Sequence, residues 1–179
     1  MMQSQTNGKN NSAMQHRNKT QVIALCGLLA SLGLIFSYVE VLFPLSIGIP
    51  GVKLGIANLV VIIALYKLGE KYALPVNVIR ILVAGLLFNG AFGALYSLAG
   101  ALLSFAVMCL LKRTNWFSIV GVSMAGGVAH NLGQLLVAAS IIENLKIFIY
   151  FPVLLASGMI TGIVIGIVAH VTMQKLKFL

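Results

Sequence analysis

The sequence predicts an all-α integral membrane protein, a bundle of six transmembrane helices with both ends in the cytoplasm. Three observations carry that expectation. Of 179 residues, 60% are hydrophobic and only 8% are charged, against about 25% charged in typical soluble chains. The mean hydropathy is +1.03. The apolar residues run in long continuous stretches. In lipid every backbone N–H and C=O needs an internal partner, so a chain must span as helices or as a closed barrel. A barrel would show short segments of alternating apolar and polar residues, and this chain does not.

The elements follow in order. Residues 1–19 are polar, rich in Gln, Asn and Ser, and read as a disordered cytoplasmic tail. The remainder, 20–179, reads as the six-helix transmembrane domain. The first apolar stretch, Thr20 to Val39, is too long for a signal-peptide core, and no A-x-A cleavage pattern closes it. It is expected to stay as the first helix. The second runs from Leu54 to Leu68, and the third from Ala73 to Phe88 with Pro75 in its first turn. The fourth covers Ala91 to Leu111, the fifth Phe117 to Ile142, and the sixth Ile147 to Met173 with Pro152 near its start. At 1.5 Å per residue, such lengths match a hydrocarbon core of roughly 30 Å. The second and third are short, which fits small tilt or a place partly inside the bundle. The link Phe43 to Gly51, FPLSIGIPG, is apolar yet holds two prolines and two glycines. It reads as a loop lying on or dipping into the outer face.

Charge sets the orientation. Net charge is +9, from twelve Lys and Arg against three acids. With six spans, Lys9, Arg17, Lys19, Lys67, Lys71, Lys112, Arg113, Lys175 and Lys177 fall on one side. Only Lys53 and Lys146 fall on the other. Nine against two places both ends inside, by the positive-inside bias. Nucleic acid is not an expected partner, because no basic stripe with interleaved aromatics occurs. Tyr38, Tyr66, Tyr72, Tyr150 and Trp116 lie near the ends of the stretches, where interfacial aromatics belong. Cys26 and Cys109 sit within apolar runs and read as small core residues. The composition implies no metal and no cofactor.

Polar groups at membrane depth are costly, so each is a functional candidate. Glu40, Lys53, Asn58, Asn89 and Gln134 fall in the outer half of the predicted topology. Arg80, His130 and Asn131 form its floor. Few counterparts lie in the inner half. This asymmetry points to a polar cavity open to the outside. The candidate substrate-binding residues are Lys53, Asn58, Arg80, Asn89, His130, Asn131 and Gln134. On the fifth helix Gly127, His130, Asn131, Gln134 and Ala138 share a face at i, i+3, i+4 and i+7 spacing. Gly51, Gly55 and Asn58 share one on the second. Arg80 has two readings: a ligand contact, or a structural tie to Glu40 or to a backbone carbonyl. His130 and Asn58 each have the alternative of an interhelical hydrogen bond. His170 reads as an interfacial residue near the cytoplasmic end of the sixth helix. Ala24, Gly27, Ala30 and Ser31 form a small-residue stripe on the first helix. It suits close packing against a partner helix or within the bundle itself.

No enzyme signature stands out. The acids Glu40, Glu70 and Glu143 do not make the Asp-rich cluster that holds Mg²⁺ for diphosphate chemistry. There is no P-loop, so energised transport would need an ion gradient or a partner.

Three stretches carry a family resemblance: PGVKLGIANLVVIIALY (Pro50 to Tyr66), VIRILVAGLLFNGAFGALYSLAGALLS (Val78 to Ser104) and GGVAHNLGQLLVA (Gly126 to Ala138). Together these resemble the bacterial Gx transporter family, also described as heptaprenyl diphosphate synthase component I. That family is similar to the substrate-binding S components of energy-coupling factor (ECF) transporters, small six-helix proteins. The resemblance implies a multi-pass protein of the bacterial cytoplasmic membrane with an S-component-like fold. It also implies docking through an A-x-x-x-A motif on the first helix to a coupling subunit that works with ATPases. Here Ala24, Gly27, Ala30 and Ser31 give a looser version of that motif. A second implied partner is a soluble prenyl diphosphate synthase subunit, with this chain as the non-catalytic membrane subunit. A third implied role is in flavin-based electron transfer. The last two associations involve anionic, phosphate-bearing molecules, which suit a cavity with Lys53, Arg80 and His130.

Overall fold

The structure, a computed structural model, describes residues 19–42 and 55–175. Residues 1–18 of the polar tail, the link 43–51 and Lys53 lie outside the described residues, and Lys19, expected in the tail, begins the first helix. Among the described residues six α-helices follow in order: α1 Lys19–Leu42, α2 Ala57–Lys67, α3 Glu70–Ala84, α4 Gly90–Thr114, α5 Ile119–Ile142 and α6 Phe151–Lys175. A π-helical turn, Gly85–Asn89, extends α3, and a 3₁₀ turn, Leu145–Tyr150, leads into α6. Among the described residues, five helical spans are long and apolar enough to cross a membrane, and α2 is shorter.

The breaks follow local chemistry. Gly55 at φ +67° precedes α2, and Gly69 at φ +90° separates α2 from α3. These are backbone settings that glycine adopts without strain. Ser118 caps α5, its hydroxyl accepting from the Gly121 N–H at 3.2 Å. Asn144 caps the 3₁₀ turn by accepting from Lys146 N–H at 2.9 Å. One boundary differs from expectation. The third stretch starts at Glu70, so Pro75 lies inside α3 and not in its first turn. The missing Pro75 N–H frees the carbonyl four residues back, on Lys71, where the side chain is exposed. Arg113 fastens the added turn by donating to both carboxylate oxygens of Glu70.

α2 is the axis of the bundle. Ala57 and every residue from Val60 to Leu65 are buried. A helix apolar on all sides belongs inside a core. Every other helix contributes to the cluster around it: Leu29 from α1, Val76 from α3, Phe105 and Met108 from α4, Val122 from α5, and Ile165 and Ala169 from α6. The outward surface is apolar as well, with Ile23, Leu28, Phe92, Leu110, Ile160 and Val164 exposed. Lipid is as apolar as these side chains, so helix association rests on close packing and interhelical hydrogen bonds. Glycine supplies the packing. A Cβ on Gly127 of α5 would come within 2.4 Å of the Gly158 carbonyl oxygen of α6. Ser123 adds a hydrogen bond across the same seam, donating to Gly162 O at 2.6 Å. Cys26 and Cys109 are free thiols, the first half-buried and the second buried.

Candidate functional site

Among the described residues Arg80 is the most buried side chain that carries a charge. It is 8% exposed, on the face of α3 that packs against α1. Its stem lies on Gly33, where a Cβ would come within 2.6 Å of Arg80 Cδ. The guanidinium makes two hydrogen bonds, both to neutral groups. Nη1 donates to Ser37 Oγ at 3.0 Å and Nη2 to Asn77 Oδ1 at 2.8 Å. Ser37 Oγ in turn donates to Gly33 O at 3.0 Å. The third donor, Nε, is buried without a partner. Among the described residues the ion pair is Arg113 with Glu70, and no acid lies within ion-pair distance of Arg80. Burying an ion costs several kcal/mol unless its charge is matched. Arg80 therefore sits in a frame that orients it and leaves its charge unneutralised at contact distance.

Glu40 lies on the same helix as Ser37, and among the described residues no ion pair joins it to Arg80. Glu40 is half-buried at the upper end of α1, one turn past Ser37. Its Oε1 accepts from the Ile56 N–H, at the start of α2. Asn58 is half-buried in the first turn of α2, its Nδ2 facing the backbone of Gly55.

The polar residues of α5 divide between two neighbours. His130 and Gln134 face α4, where a Cβ on Gly100 would meet His130 O at 2.7 Å and Gln134 Cγ at 2.8 Å. Gln134 is 2% exposed, and its Nε2 is buried without a partner. Asn131 and Gly127 face α6, and Asn131 Nδ2 donates to Leu154 O at 2.6 Å. The i, i+3, i+4, i+7 set spans a wide arc of the helix, and flanking helices on both sides divide it. Arg80 stands apart, because α3 and α5 share no extended interface. Thus Arg80, Ser37 and Asn77 come together, His130 and Gln134 come together, and Asn131 joins the α5–α6 seam. The side chain of Asn89 lies outside the described residues, like Lys53. Sequence reading missed Ser37 and Asn77. Both are polar groups in apolar runs, and Asn77 stands one turn before Arg80, which was the available signal.

On α1, Ala24, Gly27 and Ser31 are exposed, and a Cβ on Gly27 would meet nothing within 4 Å. Ala30 is half-buried against the core. At the α5–α6 connection a hollow of about 390 Å³ is lined by Asn144, Lys146 and Tyr150 among others, none of them a candidate residue. Among the described residues no group of three His, Cys, Asp or Glu side chains is placed to hold a metal ion.

Residues 29–172 match the family described as heptaprenyl diphosphate synthase component I. The chain belongs to that family. The match covers all of the described helices apart from the first part of α1 and the last residues of α6. No curated protein and no solved structure matches the chain. Membership fits the apolar architecture of a multi-pass membrane protein, and the family description links it to a synthase with more than one component.

Proposed function

We propose that this member of the heptaprenyl diphosphate synthase component I family is a non-catalytic membrane component that binds a small anionic, phosphate-bearing molecule. It is oriented with both ends in the cytoplasm and works as an S-component-like transport subunit. The observation that carries the reading is Arg80: a buried guanidinium held by two neutral partners, with a spare N–H and no carboxylate in contact. A phosphate oxygen would supply the missing charge and accept the free donor.

Calorimetric titration of the purified full-length protein with inorganic pyrophosphate tests the site. Arg80→Gln is expected to abolish binding and Arg80→Lys to weaken it, with both variants monodisperse. Unchanged affinity in Arg80→Gln would remove the reading.

A second reading takes its support from the family description: a membrane subunit that presents or holds a prenyl diphosphate for a soluble synthase. It uses the same anion site. Co-purification separates the two, with a coupling subunit and ATPases expected for the first and a soluble prenyl synthase for the second. For the transport reading, the exposed Ala24, Gly27 and Ser31 provide the docking stripe, with Ala30 at its edge. Gly27→Leu is then expected to lose the coupling subunit while the protein stays folded, since the position faces open space. Retention of the subunit in that variant would remove the stripe from the interface.

A further inference from the structure

α2 has 11 residues, about 16 Å of helix, or roughly half of a 30 Å hydrocarbon core. Its C-terminal end is fixed. Lys112 donates to the Leu65 carbonyl at 2.6 Å and lies 5.1 Å from the Tyr66 ring centroid. Glu70, just beyond, is held by Arg113. The N-terminal end therefore falls about halfway up the bundle. Arg80 stands ten residues above Glu70 on α3, about 15 Å along its axis, which puts it at the same level. A helix start carries partial positive charge, and at this one Asn58 and Leu59 N–H already donate to Gly55 O and Ile56 O, which leaves the charge and the Ile56 N–H as what an anion meets. Among the described residues, that level holds the α2 start and the buried guanidinium, with Glu40 the anionic side chain beside them. Glu40 binds the first by accepting from Ile56 N–H and stands one turn past Ser37, which holds the second.

We propose that Glu40 is the built-in competitor of the anion site: its carboxylate stands in for the substrate's anionic group and must give way when that group binds. The inference rests on the Arg80 reading above and adds a residue that regulates occupancy. Two anions cannot share one guanidinium and one helix start without mutual repulsion, so binding and the Glu40–Ile56 hydrogen bond oppose each other. Glu40 acts as a positioning residue. It holds α1 to the start of α2 in the empty protein and releases it on binding.

The test is pyrophosphate titration of Glu40→Gln and Glu40→Asp in the full-length protein, beside Arg80→Gln. Glutamine keeps an oxygen acceptor for Ile56 N–H and removes the charge. Its expected effect is about a tenfold gain in pyrophosphate affinity. Aspartate keeps the charge and is expected to stay well below that gain. Affinity in Glu40→Gln equal to or weaker than that of the unaltered protein would overturn the inference while leaving the Arg80 reading standing. Absence of binding in every form, the unaltered protein included, would overturn both. Hydrogen exchange on the unaltered protein gives a measurement free of any folding defect. Saturating pyrophosphate is expected to speed exchange at 39–42 while 55–58 stay protected. No change at 39–42 would overturn the release of Glu40.

Discussion

The α4–α5–α6 side and the α1–α3 seam are both built from apolar helices, yet polar groups are used in opposite ways. Along α5 and α6, glycine against glycine brings backbones into contact, and Ser123 and Asn131 each find a carbonyl on the facing helix. Those polar groups serve as glue. In the α1–α3 seam, one glycine makes room for an arginine stem, and the polar groups orient a charge without neutralising it. Depth alone does not separate the two uses. Arg80 differs from Ser123 and Asn131 in the charge and the Nε donor left over after the fold has taken what it needs.

The sharpest way to break this comparison is Gly127→Val. Its side chain would enter the space of the Gly158 carbonyl, which cannot move without its helix. A loss of about 3 kcal/mol or more is expected in unfolding by detergent titration, with part of the protein failing to fold. A mild effect would mean the seam is looser than its geometry indicates. Arg80→Gln should behave in the reverse sense. It removes a buried charge that no contact acid matches, so stability is expected to hold or rise by about 1 kcal/mol while anion binding is lost. A large fall in stability would make Arg80 a structural tie instead.

Asn131→Ala sharpens the contrast from the other side. It removes the bond to Leu154 O, and a loss of about 1 kcal/mol is expected with pyrophosphate affinity unchanged. Lost affinity would return Asn131 to the binding site. The smallest effect is expected for Glu70→Gln, which breaks the pair with exposed Arg113. Exposed pairs contribute little and less as salt rises. A slight destabilisation at low salt, vanishing at high salt, is the expected result in the same unfolding assay.

Much of the architecture is legible in the sequence, because lipid allows the backbone so few solutions. The break between the third and fourth stretches fell at Asn89–Gly90, and Gly90 has φ +68° there. The fifth stretch ended at Ile142, where α5 ends. The start of α3 was less legible, because Pro75 is tolerated where the carbonyl it strands is near the exposed end of the helix. The second stretch was legible as short and inward. That it forms the axis of the bundle was not, since its Val, Ile and Leu residues would suit lipid equally well.

The candidate site divides similarly. Arg80 stands out in any reading because a charged group in an apolar run is expensive wherever it points. Its partners do not stand out, because Ser37 lies on another helix, 43 positions away in sequence. The grouping on α5 shows the limit of periodicity. Spacing put His130, Asn131 and Gln134 on one side of one helix, but α4 and α6 approach that side from two directions and take different members.

By itself the sequence determined the solvent, the helical class, the division into apolar stretches and the residues too costly to be idle. Each follows from transfer free energies that act on a residue or a run of residues wherever its neighbours lie. Only the tertiary structure decided that α2 is the buried axis, that Arg80 meets Ser37 and Asn77 over Gly33, and that Glu40 reaches the start of α2. Those are contacts between segments distant along the chain, and they depend on how closely two backbones can approach, which no single segment specifies.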